Sequence, residues 1–77
     1  VIVLTDHALD MLAERGVALD WVVDTISAPD RVQAQPGKTY SFRAISAAGG
    51  KTLKVVHRRA GDDILVITVH FDRNAKP

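Results

Sequence analysis

Cysteine is absent from this 77-residue sequence, which excludes a disulfide framework and thiolate-bound zinc and fits a reducing, cytoplasmic setting. Aromatic residues are scarce: one Trp, one Tyr and two Phe must serve whatever core the chain builds. Base is nearly missing from the first 30 residues, where Asp6, Asp10, Glu14, Asp20, Asp24 and Asp30 stand against Arg15 alone. No apolar run approaches the roughly 20 residues of a membrane-spanning helix, and Val1–Leu4 is too short for a signal-peptide core, so a soluble protein without a membrane partner is expected. Val1 rather than Met opens the sequence, and residues of the natural chain are expected to precede it. Three histidines without cysteine give no spaced ligand set for zinc. A glycine-rich phosphate loop is also missing, Gly49-Gly50 reading as a hairpin turn, and so is the strand-to-helix elbow of a serine nucleophile. No metal and no cofactor is expected.

What is there has an ordinary globular composition, 47% hydrophobic and 25% charged. Its length suits a single domain over 1–77, one that buries only about 60% of the surface its unfolded chain exposes. The bases missing early are concentrated later. Residues 31–77 carry Arg31, Lys38, Arg43, Lys51, Lys54, Arg58, Arg59, Arg73 and Lys76 against Asp62, Asp63 and Asp72. Six acids to one base give −5 in the first part, and nine bases to three acids give +6 in the second. Such a dipole can hold a polyanion on one side and repel it from the other.

Thr5 or Asp6 is placed to cap a first helix over about residues 6–16, with Gly16 as the left-handed residue at its end. Ala8, Met11 and Leu12 form its apolar stripe. Arg15 projects from the same side and His7 borders it, about two turns or roughly 12 Å away. Arg15 snorkelling along the core edge and His7 as a first-turn surface residue would account for both without a function. A second helix over about 18–28 carries Leu19, Val22, Val23 and Ile26 as its core stripe and stops at Pro29. Trp21 falls opposite that stripe, so it packs on the first helix or faces a partner. Four strands follow over about 30–35, 39–46, 51–59 and 64–71, separated by Pro36-Gly37-Lys38, Ala47–Gly50 and Gly61-Asp62. The last, Ile64–Phe71, is almost continuously apolar and therefore central; Asp72-Arg73-Asn74 leads the chain out of it.

Hydrophobic matching selects one register, because a slip of one residue swaps the faces of a whole strand. It puts Val32, Ala34, Tyr40, Phe42, Ala44, Leu53, Val55, Leu65, Ile67, Val69 and Phe71 on the face that both helices cover. The expected fold is α+β, two N-terminal helices on one face of a four-stranded antiparallel meander. The other face then holds Arg31, Gln33, Ser41, Arg43, Lys54, Arg58, Thr68 and His70, with Arg43, Lys54 and Thr68 opposite one another across three strands. Cations interleaved with hydrogen-bonding groups suit phosphates, and the case for RNA rests on that trio sharing a side. Ile45, Val56, Ile64 and Val66 share the face and would be sealed by a partner helix or a second copy of the chain. The wet face of a one-sided antiparallel sheet is the plainer account.

Together His7-Ala8, Met11, Glu14-Arg15-Gly16-Val17, Pro29, Arg43, Leu53-Lys54-Val55-Val56 and Ile67-Thr68-Val69 resemble the domain-of-unknown-function family 4258. That family looks like a relative of the RelE-like and BrnT-like toxins, compact α+β ribonucleases of toxin–antitoxin pairs and polymorphic toxins. The resemblance implies a RelE-like fold and RNA cleavage without metal by cations and a histidine or tyrosine on the open sheet face. It also implies an antitoxin or immunity protein that covers this face, and it marks His7, Glu14, Arg15, Arg43, Lys54 and Thr68. Where related proteins often have a tyrosine after the Thr-Val pair, this chain has His70.

RNA cleavage of that kind requires a base for the 2′-hydroxyl, an acid for the departing 5′-oxygen and positive charge beside the pentacovalent phosphate. Histidine, with an unperturbed pKa of about 6.5, takes either proton role near neutrality. His70 is the candidate on the basic face and His7 the one implied by the resemblance. Arg43, Lys54 and Arg58 would stabilise the phosphate, Thr68 would position it, and Arg15 and Arg31 add RNA contacts. His57 falls on the core face and reads as structural. The competing function is a noncatalytic module that dimerises or binds a partner helix through the same mixed face. Candidate partners are therefore RNA, an antitoxin or immunity protein, and a second copy of the chain.

Overall fold

Residues 1–72 are described by the computed structural model; Arg73, Asn74 and Lys76 lie outside them. The element order is β1 (Ile2–Leu4), α1 (Asp6–Arg15), α2 (Leu19–Ser27), β2 (Arg31–Gln35), β3 (Lys38–Ile45), β4 (Lys51–Ala60) and β5 (Asp63–Phe71). Thr5, in extended backbone, caps α1 by accepting from the Ala8 amide, and Gly16 closes the helix at φ 65°, a conformation that costs a residue without Cβ nothing. Gly37, at φ 77°, follows Pro36 in the two-residue turn joining β2 to β3. Among the described residues no helix is long and apolar enough to cross a membrane.

The five strands form one mixed sheet in the order β1-β5-β4-β3-β2. This corrects the expected four-stranded antiparallel meander. Strand β1 runs parallel to β5, with Ile2 beside Ile64 and Leu4 beside Val66. Its short apolar run continues the sheet because Ile2 and Leu4 pack on the core and the backbone bonds Ile64 N–H to Val1 O and Thr5 N–H to Val66 O extend the pairing at both ends.

Both helices pack on one side of the sheet, over a core of Ala8, Val17, Val22, Ile45, Leu53, Val55, Val66 and Val69. Helix α2 is rotated from its expected stripe. Val22 and Thr25 are buried while Leu19 and Val23 are exposed, and Trp21 turns inward to Phe71, ring centroids 6.3 Å apart. Thr25 tolerates burial because its hydroxyl donates to the Trp21 carbonyl at 2.7 Å within the helix.

Two register features redistribute the faces. Strand β3 pairs with β4 so that Arg43 lies opposite Leu53 and Ser41 opposite Val55. Partners directly across a ladder share a face, so Ser41, Arg43 and Ile45 lie on the helix side and Tyr40, Phe42 and Ala44 on the open side, the reverse of the expectation. In β5 the pairing steps from Val56 with Thr68 to His57 with Val66, leaving Ile67 as the extra residue of a β-bulge. The bulge puts Ile64 and Val66 on the helix side together with Val69 and Phe71, and moves Leu65 to the open side. Val32 and Ala34 are on the expected side, but no helix reaches them: β2 is exposed from Arg31 to Ala34.

Candidate functional site

The open side of the sheet is ordered in rows. Arg31, Phe42, Lys54 and His70 stand side by side across β2, β3, β4 and β5, and Gln33, Tyr40, Val56 and Thr68 form the adjacent row. Arg58 and Leu65 come next. The cations lie on the rings: Arg31 Cζ is 4.1 Å from the Phe42 centroid, Lys54 Nζ is 4.4 Å from Tyr40 and 5.8 Å from Phe42, and Lys38 Nζ is 5.5 Å from Tyr40. Electron-rich ring faces hold these side chains over the sheet rather than in bulk solvent. Phe42 is sealed beneath them at 3% exposure, whereas Tyr40 and Lys54 remain partly open.

Helix α1 adds a second group of residues, and the local sequence explains how. The Thr5 hydroxyl accepts from the Ala8 amide at 3.0 Å and donates to the carbonyl of Ile67, the bulge residue, at 3.1 Å. One side chain thus starts the helix and fastens it to the irregular point of β5. Two residues later, His7 Nε2 lies 3.1 Å from Thr68 Oγ1, across 61 positions of sequence. At the other end of α1, the Arg15 charge acts on His70, and Arg15 Nε lies 3.4 Å from the Met11 sulfur. Glu14 is exposed on the same helix.

Burial holds the pKa of His70 below the usual imidazole value; Lys54 and then Arg15 push it the same way, and Asp72 opposes them. The imidazole is therefore largely unprotonated near neutrality and able to accept a proton. Lys54, Thr68 and His70 share the open face, where α1 reaches them through the contact of His7 with Thr68 and the charge of Arg15 on His70; Arg31 stands beside Phe42 in the row of His70, and Arg58 lies further along.

Arg43 is not among them. It lies on the helix side, where its Nη1 donates to the Ala28 carbonyl at 2.6 Å, the C-terminal cap of α2. A guanidinium there answers the negative end of the helix. The trio Arg43, Lys54 and Thr68 is thus split between the two sides, which removes the ground on which the expectation of RNA contact rested; any case for RNA has to come from the residues that do share the open face. Three of the four aliphatics expected on the open face are displaced too: Ile45 and Val66 belong to the helix-covered core and Ile64 shares their face, leaving only Val56. His57 is on the helix side as expected, with Nε2 2.8 Å from Ser41 Oγ and its pKa lowered by burial. Tyr40, Phe42 and Lys38 are the open-face residues that sequence reasoning missed. The available signal was the polar partner waiting for the other parity of β3, His57 for Ser41 and the end of α2 for Arg43.

A five-stranded sheet with both helices on one side and a cation-rich, aromatic-floored surface on the other defines a small two-layer α+β domain. The chain matches the family model described as Domain of unknown function (DUF4258) over residues 4–71 and belongs to that family. Comparison with curated proteins and with solved structures gave no match.

Proposed function

We propose that this chain is a toxin-type ribonuclease of the RelE-like and BrnT-like kind, cleaving RNA without metal at the open sheet face and held in check by a protein partner. The observation that carries the reading is the meeting of two histidines with cations at one end of that face. His7 touches Thr68, and His70 stands directly across from Lys54. In the reaction, unprotonated His70 takes the proton of the 2′-hydroxyl as that oxygen attacks phosphorus. The bond to the 5′-oxygen breaks, and that oxygen takes a proton from His7 acting as the general acid, leaving a 2′,3′-cyclic phosphate and a 5′-hydroxyl. Lys54 and Arg15 sit beside the charge that builds on the phosphate, and the Thr68 hydroxyl orients it.

The alternative, a noncatalytic module that dimerises or grips a partner helix through the same face, would have to use Val56, Leu65 and Tyr40, since Ile45, Ile64 and Val66 face the helices. The test is cleavage of RNA at low salt by purified protein. Lys54→Ala, His70→Ala and His7→Ala should each reduce cleavage at least about a hundredfold, in keeping with the usual size of an acid–base contribution, while melting as wild type does. Variants that cut normally, or a folded wild type that binds RNA and leaves it intact, would sink the nuclease.

A further inference from the structure

We infer that Tyr40 is a stacking platform for an unpaired base, so that the open face takes single-stranded RNA, and that Lys54 and Lys38 are the gate over it. The inference deepens the reading of this face as an RNA surface and rests on it. Two aromatic rings lie on the face, and they differ in access. Phe42 is 3% exposed under Arg31, so it serves as floor. Tyr40 is only half-buried, and what lies over it is the ammonium end of two lysines, 4.4 and 5.5 Å from its centroid.

Lys38 is exposed and Lys54 only partly covered, so their contacts with the ring are modest, whereas a nucleobase stacked on it is worth about 1–3 kcal/mol. An incoming strand carries both a base for the ring and a phosphate for the displaced ammonium, so the exchange removes no charge partner and adds one. The placement also suits the chemistry. Tyr40 and Thr68 share a row with Val56 between them, two strand spacings or roughly 10 Å apart. A base on Tyr40 and a phosphate at Thr68 can then belong to the same or neighbouring nucleotides. A duplex hides its base faces and meets only the cations.

Fluorescence anisotropy with a labelled 2′-O-methyl oligonucleotide of about ten residues, within the usual span of such surfaces, tests this separately from cleavage, because the methylated strand lacks the attacking hydroxyl. An abasic strand of equal charge and length and a duplex of the same sequence are the comparators. Wild type should prefer the base-bearing single strand over the abasic one about tenfold, the lower part of the usual stacking range. Tyr40→Ala should abolish that preference without weakening abasic binding, and Tyr40→Phe should retain it. Equal affinity of wild type for all three probes, or equal loss by Tyr40→Ala on base-bearing and abasic strands, overturns the inference. Base preference without RNA cleavage leaves Tyr40 standing and removes the nuclease; cleavage without base preference does the reverse.

Discussion

Arg43→Ala should destabilise the fold and leave RNA binding alone. The guanidinium donates to the Ala28 carbonyl at 2.6 Å, on the side of the sheet away from Lys54 and His70. A hydrogen bond from a charged donor contributes roughly 1.5–3 kcal/mol, and partial exposure puts this one near the lower end. A cation at a helix C-terminus adds about 0.3–1 kcal/mol. Together the loss comes to about 2 kcal/mol. Domains of this length are stable by roughly 4–12 kcal/mol, and each kcal/mol moves the midpoint by about 4–8 °C, so the expected drop is on the order of 8–16 °C in a circular-dichroism melt. Below that transition the slope of log affinity for RNA against log salt should match wild type, whereas removing a phosphate contact would lower it by about one. A melting temperature within about 2 °C of wild type would refute the helix-cap role, and a reduced salt slope would return Arg43 to the RNA surface.

Two further outcomes follow from named contacts. Thr5→Val keeps the shape of the side chain and deletes both its bonds, to Ala8 N–H and to Ile67 O; urea unfolding should show a loss of about 1–2 kcal/mol, with Thr5→Ser close to wild type. Burial lowers the pKa of His57, so the unfolded chain binds its proton more readily than the folded one. Its contribution is complete above the unfolded value of about 6.5 and is lost as pH falls through that value towards the folded one. His57→Gln should therefore flatten the fall in stability between about pH 7.5 and 5.5, and an unchanged slope would discount the buried imidazole.

Local rules made much of this fold legible. Thr5 and Gly16 bracket α1, Pro29 ends α2, and the turns at Pro36-Gly37 and Gly61-Asp62 separate strands where they were expected. The failures share a cause, which is that hydrophobic matching cannot weigh specific polar partners. Strand β3 has an aromatic and a polar parity. The polar one goes under the helices because Ser41 meets His57 and Arg43 meets the end of α2. The bulge at Ile67 carries no glycine to mark it, and it reverses the first half of β5 relative to the second. Strand β1 is three residues long and pairs with a strand some 60 positions away, a partner no local pattern reveals. At the site, Lys54, Thr68 and His70 were found on one side and His7 and Arg15 were found beside them, but the loss of Arg43 and the gain of Tyr40 depended on that one register.

The parallel pairing of β1 with β5 has a consequence for biosynthesis. Strand β5 follows every other described element in the chain, and β1 is held to the sheet through it. During translation the first strand and helix are made long before the segment that receives them, so the contact between His7 and Thr68 cannot form until residue 68 has been made and has emerged. A polypeptide interrupted ahead of Asp63 would carry the lysines and arginines of β2 to β4 yet have neither His70 nor a docking place for His7.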